Sequence, residues 1–470
     1  MVGGGILFRL DKSQIEVIVP GIIETLIYKH DTKREEKMHK YYLGEHKILD
    51  RKFADESKPN NKIVANWCEY ISDQHVGYFM GKPVVYSSKN KEYMQEIQDI
   101  YDANDEQKIN YEIAEQCSRY GYGVEILYTK ETKSGKKEPR FRPLPLIENN
   151  IILVFDNSVE ENLILAIRYW ENEDVLDDSK SLHAYVYSEH INYHFIQKDN
   201  EEFFLESEEA HGYGEVPVNY YWNKGSQLKS DFEGIIPLNN SYDALISDDV
   251  NESESSTDAI LKVWGIDNIP ETQEMKEKRL LNFGKVEKDE KADADWLIKD
   301  INSEWKENQK NRTKKDILDL SKVPDMTDKS FAESSGVALE RRILPLENTR
   351  STKERYFKEG LQRRIRMITN IFNISKKYDY LDIDIKFQRN LPTDTQTDIA
   401  NAVALVGTNI ASMQTLRKMA HIEDPAYEKE LIEHENEEYI RLNVEDDIDE
   451  SNNGTNKEAN TTNGEEVKQA

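Results

Sequence analysis

Apolar residues recur three and four positions apart through the first third of the chain, the spacing of one face of an α-helix. Ile22, Ile23, Leu26 and Ile27 open an amphipathic run that stops at Gly44. A second helix is expected from about Lys62 to Phe79. It closes on Met80-Gly81-Lys82-Pro83, where glycine can take a left-handed cap and proline cannot continue the helix. A third starts near Gln107, with Ile109, Ile113, Cys117 and Tyr120 as its core face. After Gly121-Tyr122-Gly123 the period changes to two. Short β-branched and aromatic runs follow at Val124 to Thr129, Arg140 to Leu146, Ile151 to Phe155, Leu163 to Trp170, Leu182 to Tyr187 and Ile191 to Ile196, with Ser134-Gly135 as the first hairpin turn. They predict a meandering antiparallel β region that closes near Trp222.

From Asn239 to about Lys262 the pattern is helical again, with Tyr242, Leu245, Ile246 and Val250 at its start and Ile260, Leu261 and Trp264 at its end. Asp243, Asp248, Asp249, Glu252, Glu254 and Asp258 all precede its first base, Lys262, so one face of this helix cannot enter an apolar core. A short charged α+β insertion, about Ile266 to Ile301, leads to a polar helix from about Ser303 to Leu320. The longest pattern runs from about Val337 to Ile374 and aligns Phe357, Leu361, Ile365, Ile368 and Phe372. At ~1.5 Å per residue it reaches roughly 50 Å, and Pro345 should kink it by removing one hydrogen bond and crowding the preceding turn. A strand at Ile383 to Phe387 precedes a helical C-terminal region, where Asp424-Pro425 suits an N-cap and first turn. Beyond about Val444 the chain is acidic, Asn-rich and too poor in apolar residues to fold. The predicted class is α+β.

With 470 residues and 37% hydrophobic positions the chain can hold about three domain-sized units with more than one core. Its formal charge of −28 excludes a protein that grips nucleic acid through a surplus of lysine and arginine. Cys68 and Cys117 are too few for a disulfide scaffold, which fits a reducing cytoplasm. The most apolar N-terminal stretch, Ile15 to Tyr28, is interrupted by Glu16, Pro20 and Glu24, so neither a signal peptide nor a membrane span is expected, and the sequons at Asn453 and Asn460 carry no meaning.

Candidate chemistry is sparse. No Gly-x-x-x-x-Gly-Lys-Ser/Thr loop is present, and Ser134-Gly135-Lys136-Lys137 lacks the following helix that would cradle phosphates. His190 and His194 share a strand face without a third ligand. Asp382 and Asp384 lie on one side of a strand, where a two-metal nuclease or other carboxylate enzyme is the alternative to a solvated face. No catalytic residue, metal or cofactor is therefore expected. The acidic helix around Asp248, Asp249 and Glu252 either faces bulk water or lies between neighbours facing an aqueous channel. The long helix is the one markedly basic stretch: Arg341, Arg342, Arg350, Lys353, Arg355, Lys358, Arg363, Arg364 and Arg366 outnumber its carboxylates. Its bases suit either a nucleic acid or acidic surfaces of adjacent subunits.

Several short motifs in fixed order carry a resemblance. They are Tyr41-Tyr42-Leu43-Gly44, Asn66-Trp67, Gly77-Tyr78-Phe79-Met80-Gly81-Lys82-Pro83, Tyr120-Gly121-Tyr122-Gly123, Ser230-Asp231-Phe232-Glu233 with Ile236-Pro237-Leu238, and Ser335-Gly336-Val337-Ala338-Leu339. In that order, over about Tyr41 to Ile440, the chain resembles the siphophage-type portal proteins, the head-to-tail connectors of tailed phages. The resemblance implies a wing over residues 1–237, a first stem helix at 238–265, a clip at 266–302, a second stem helix at 303–322 and a tunnel loop at 323–336. The kinked helix and a wing strand then occupy 337–391, a helical crown 392–443, and a disordered acidic tail 444–470. It further implies a cyclic homo-oligomer of about twelve subunits that passes double-stranded DNA, with Asp248, Asp249 and Glu252 lining the tunnel and Ser334, Ser335 and Gly336 in the tunnel loop. The implied partners are the terminase large subunit, a head-completion adaptor, and the major capsid and scaffolding proteins, with no membrane. The implied location is the capsid portal vertex of the virion, reached through the host cytoplasm during assembly.

Overall fold

The computed structural model describes residues 7–11, 19–55, 58–131, 135, 137–173, 180–198, 201–225, 228–256, 260–264, 280–282, 293–297, 303–327, 336–374, 376–390, 395–422, 425 and 427–437. It divides into two units, Met1–Asn390 and Leu391–Ala470. Ser334, Ser335, Asp424, most of residues 266–302 and the tail from Val444 lie outside the described residues.

After β1 (Leu7–Arg9), the run expected as one helix from Ile22 to Gly44 is two, α1 (Pro20–Lys29) and α2 (Lys33–Tyr42). The break falls at His30, which is extended, and at Asp31, whose carboxylate takes the Lys33 N–H at 3.1 Å in competition with the helix. α3 (Trp67–Met80) begins later than Lys62 because the preceding backbone is occupied elsewhere: Ile63 N–H donates to Ser247 Oγ at 2.9 Å and Ala65 N–H to Asp243 Oδ1 at 2.8 Å. Asn66 caps it by accepting from Glu69 N–H. Gly81, expected in the left-handed region, has φ −66. Its requirement is space, since a Cβ there would strike Gly77 O and the Asn390 amide, which itself donates to Gly77 O at 2.9 Å.

β2 (Val85–Ser87) and α4 (Lys91–Asn104), which the sequence reading did not foresee, lead into α5 (Glu106–Tyr120), whose Ile109, Ile113, Cys117 and Tyr120 are buried as expected. The strands follow: β3 (Tyr122–Glu131), β4 (Lys137–Pro143), β5 (Asn150–Phe155), β6 (Leu163–Glu173), β7 (Lys180–Tyr187), β8 (Ile191–Lys198), β9 (Phe204–Ala210) and β10 (Val218–Trp222). They form two sheets and not one meander. A six-stranded sheet runs β1-β5-β6-β7-β8-β9, with β1 parallel to β5, and a second runs β10-β3-β4. The second exists because β10 returns to pair with β3, Trp222 against Tyr122.

α6 (Ile236–Ser256) ends before Ile260, so the first stem helix expected over 238–265 is too long. Ile260, Leu261 and Trp264 belong to β11 (Ile260–Trp264), paired parallel with β12 (Leu280–Asn282) and antiparallel with β13 (Asp293–Leu297). β-Branched Ile260 and Val263 suit that sheet better than a helix end. α7 (Ser303–Ser321) and α8 (Gly336–Phe372) match the expected helices, and Gly336 is the first residue of α8. Pro345 lies inside α8 with helix on both sides; Thr349 Oγ1 donates to its carbonyl at 3.0 Å. β14 (Asp384–Lys386) pairs antiparallel with β2, which ties the end of this unit to its first third.

The core of this unit has three parts. One joins α2, α3, both sheets and the roots of α6 and α7. A second joins α3, α4, α5 and α8 around Phe357, Leu361, Ile365 and Ile368, with Phe372 half-buried. The third packs α1 on one face of the six-stranded sheet. The other unit holds α9 (Thr395–Leu405), α10 (Met413–Met419) and a helical stretch at 427–437.

Candidate channel helices and the basic long helix

α6 has a buried root and an ionic upper half. Asp243, expected on the wet face, has no exposed surface. Its carboxylate faces His46 Nδ1 at 2.6 Å and accepts from Ala65 N–H at 2.8 Å and Asn239 Nδ2 at 3.1 Å. A buried carboxylate is tolerated here because each oxygen has a partner. Two turns on, the candidate tunnel residues divide between faces. Asp249 reaches Lys310 at 2.8 Å and Lys306 at 3.4 Å, and Glu252 pairs with Lys306. Later residues of α6 thus meet earlier residues of α7, so the two helices run antiparallel. The hydrogen bond from Lys310, seconded by Lys306, holds the Asp249 carboxyl below its ordinary value, and Lys310 is raised in return. Asp248 points the other way: its side chain is 65% exposed and pairs with Arg51 at 2.6 Å.

The foot of α7 is fixed by His75 of α3, wholly buried, whose Nε2–H donates to Ser321 O at 2.9 Å. Burial drives the His75 pKa down to about 4.

α8 spends much of its positive charge inside its own subunit, so those bases are committed before any nucleic acid or adjacent subunit is met. Arg350 pairs with Glu347 at 3.0 Å and Glu354 at 2.9 Å, Lys353 with Asp231, and Arg364 with Glu125 at 2.7 Å. Arg363 and Arg366 share Glu215, at 3.1 Å and 2.8 Å. Arg341 and Arg355 remain exposed. Burial alone would raise the Asp231 carboxyl, but Lys353, His75 and Lys224 outweigh it and hold the pKa well below the usual range. Asp231 is also the residue that joins the motif ahead of α6 to the long helix. No local signal in the sequence marks its partner 122 residues away.

A sequence model of the family described as "Phage portal protein, SPP1 Gp6-like" matches residues 23–442. The chain belongs to this family. The portal protein of Bacillus phage SPP1 is similar to it, 19% identical over 448 residues that cover 90% of this chain and 87% of its own. The chain is a portal subunit of a phage capsid vertex, acting in packaging and ejection of the genome within a family of structural proteins.

In the portal subunit the other candidate clusters come apart. His190 precedes β8 in an exposed turn beside Glu189, and His194 bonds instead to His183, its Nε2 at 3.0 Å from His183 Nδ1. Asp382 ends a 3₁₀ turn (Tyr380–Asp382) and only Asp384 is on the strand, so they do not share a strand face; both are exposed around buried Ile383, and Asp384 pairs with Lys386 at 3.2 Å. Among the described residues, no group of three His, Cys, Asp or Glu could hold a metal ion, and no helix is long and apolar enough to cross a membrane.

Proposed function

We propose that about twelve copies of this portal subunit close into a ring around a channel for double-stranded DNA. The match of the portal family over residues 23–442 carries this reading. In it, the unit before Pro237 is the wing, α6 and α7 are the stem, residues 266–302 the clip, 323–336 the tunnel loop with Ser334, Ser335 and Gly336, α8 bent at Pro345 the spine of the wing, and the helices after Pro392 the crown. The antiparallel pairing of α6 with α7 through Asp249 and Glu252 supports a stiff two-helix stem. Asp248, the most exposed of the three, is the carboxylate best placed for the channel wall; it would reach it paired with Arg51, as Asp249 and Glu252 would paired with bases of α7.

DNA carries one charge per ~1.7 Å of axis, so a wall rich in lysine and arginine would hold it through many phosphates, whereas an acidic wall lets it slide. Force would come from the terminase large subunit docked at the clip, which a head-completion adaptor replaces once the genome is in. Major capsid and scaffolding proteins would surround the wing, with assembly in the host cytoplasm. Negative-stain images of the purified protein test the ring directly: annuli with a central hole are expected. A protein that stays monomeric across a wide concentration range contradicts it.

A further inference from the structure

Between the six-stranded sheet and α8 lies an open groove of about 860 Å³. That volume is within the ~300–1,000 Å³ usual for ligand clefts. One wall is the loop after β5 with Asp156 and Glu160, the next is the turn ahead of β8 with Glu189 and His190, and the far wall is α8 with Glu359. Tyr193, Tyr220 and Tyr380 supply ring surface to it.

The charge of the groove is unequally satisfied. Its guanidiniums, Arg363 and Arg366, are committed: both bind Glu215, Arg363 also donates to Val218 O at 2.9 Å, and their faces stack on Tyr220 and Tyr380 at 5.1 and 5.5 Å. Among the wall carboxylates, Asp156 is held by Ser158 and Asn162 and Glu161 by Arg9, whereas Glu189 and Glu359 are less engaged. Glu359 is exposed and has no ion-pair partner among the described residues, and Glu189 is 53% exposed with only His190 near it, at 3.7 Å. A phosphate or nucleic acid would meet these carboxylates first and be repelled. The chain's own segment after Val444, with its excess of Asp and Glu, is excluded on the same ground.

We propose that this groove docks a lysine- or arginine-rich extended segment of a partner protein, with its bases on Glu189, Glu359 and Glu160 and its intervening side chains against Tyr193 and Tyr220. Tyrosine and arginine platforms rimmed by charge are the composition in which binding energy concentrates at protein interfaces. The inference rests on the wing groove alone and stands whether or not the ring reading holds.

The test measures fluorescence polarisation of a labelled twelve-residue peptide of alternating lysine with tyrosine or leucine, titrated with the full-length protein, against its glutamate counterpart. Reversing Glu189→Lys and Glu359→Lys together is expected to weaken binding by about tenfold or more. The same reversal at Glu206 and Glu208, exposed on β9 of the same sheet and outside the groove, is expected to change it less than about twofold. The Gln pair at Glu189 and Glu359 should fall between wild type and the Lys pair, which separates charge loss from misfolding. Equal weakening by the two reversed pairs would show mere attraction of a polycation to an acidic protein and overturn the proposal. So would binding of the glutamate peptide, or no binding at all. Binding by separated subunits but not by assembled rings, distinguished by imaging the same samples, would overturn the partner-protein occupant in favour of a second copy of this chain.

Discussion

Arg364 and Glu125 stand 239 residues apart in the sequence and meet as a fully buried ion pair, with Arg364 Nη2 2.7 Å from Glu125 Oε2 and Nε 2.9 Å from Oε1. Both groups have further partners: Arg364 Nη1 donates to Asn110 Oδ1 at 2.8 Å, and Glu125 also accepts from Tyr221 OH at 2.6 Å and Asn219 Nδ2 at 2.7 Å. The network pins the middle of α8 to α5, β3 and β10, so this long helix is held by charge as well as by its apolar stripe.

Removing one partner strands the other in a dry site. Arg364→Met is expected to cost about 3–5 kcal/mol in urea denaturation, because Glu125 keeps its charge without a cation. Arg364→Met combined with Glu125→Leu should cost less than the sum of the two single variants, since the Glu125 charge leaves with its cation and only Glu106, 3.6 Å from Arg364 Nη1, keeps a carboxyl there. A double variant as unstable as the sum of the singles would contradict this account.

Two helical glycines should respond to alanine with opposite sign. In α3, a Cβ on Gly77 meets nothing within 4 Å, so Gly77→Ala should stabilise by roughly 0.5–1 kcal/mol through lost backbone freedom in the unfolded chain. In α8, a Cβ on Gly360 would collide with the Tyr221 ring, and Gly360 O also receives Asn219 Nδ2 at 2.9 Å. Gly360→Ala should therefore destabilise by about 1–3 kcal/mol, as overpacking does. Thermal melting of the two variants side by side decides it.

Periodicity made the elements that pack locally legible. The stripes of α5 and α8 and six of the strands were readable because each buries a face set by its own sequence. α4 carries a signal as well, since Asn90 caps it and Tyr93, Ile97 and Ile100 repeat at helical spacing. What the sequence could not disclose is pairing at long range. Nothing near Asp243 announces His46, and nothing near Arg364 announces Glu125, so charges that look solvated in a one-dimensional pattern turn out to be structural. The candidate channel residues suffered from this most: Asp248, Asp249 and Glu252 look alike as letters, yet α7 claims two of them.

The carboxylates of α6 should accordingly divide by burial. Asp249→Asn removes partly exposed, salt-screened pairs with Lys310 and Lys306 and should change stability by less than about 1 kcal/mol. Asp243→Asn keeps the shape but replaces an acceptor of His46, Ala65 and Asn239 by an amide that cannot satisfy all three, and about 1–3 kcal/mol should be lost. Equal effects at the two positions in denaturant titrations would mean that the upper half of α6 is as dry as its root.

The last prediction concerns acid. His75 is buried and neutral, its pKa driven down to about 4 from the ordinary 6.5 by loss of hydration. Because the folded value is the lower one, the unfolded chain binds the extra proton first. The neutral, buried ring is therefore fully tolerated above pH ~6.5, and stability drains as the pH falls from there towards about 4, by about 3 kcal/mol in all. His75→Gln keeps a donor for Ser321 O but cannot titrate, so its melting temperature should decline less between pH 7 and 4.5 than that of the unmodified protein. Parallel pH profiles for the two would show that other groups govern the acid limit. Ser321 closes α7, so the same acidification should loosen the foot of that helix first, which hydrogen exchange at its last turn would reveal.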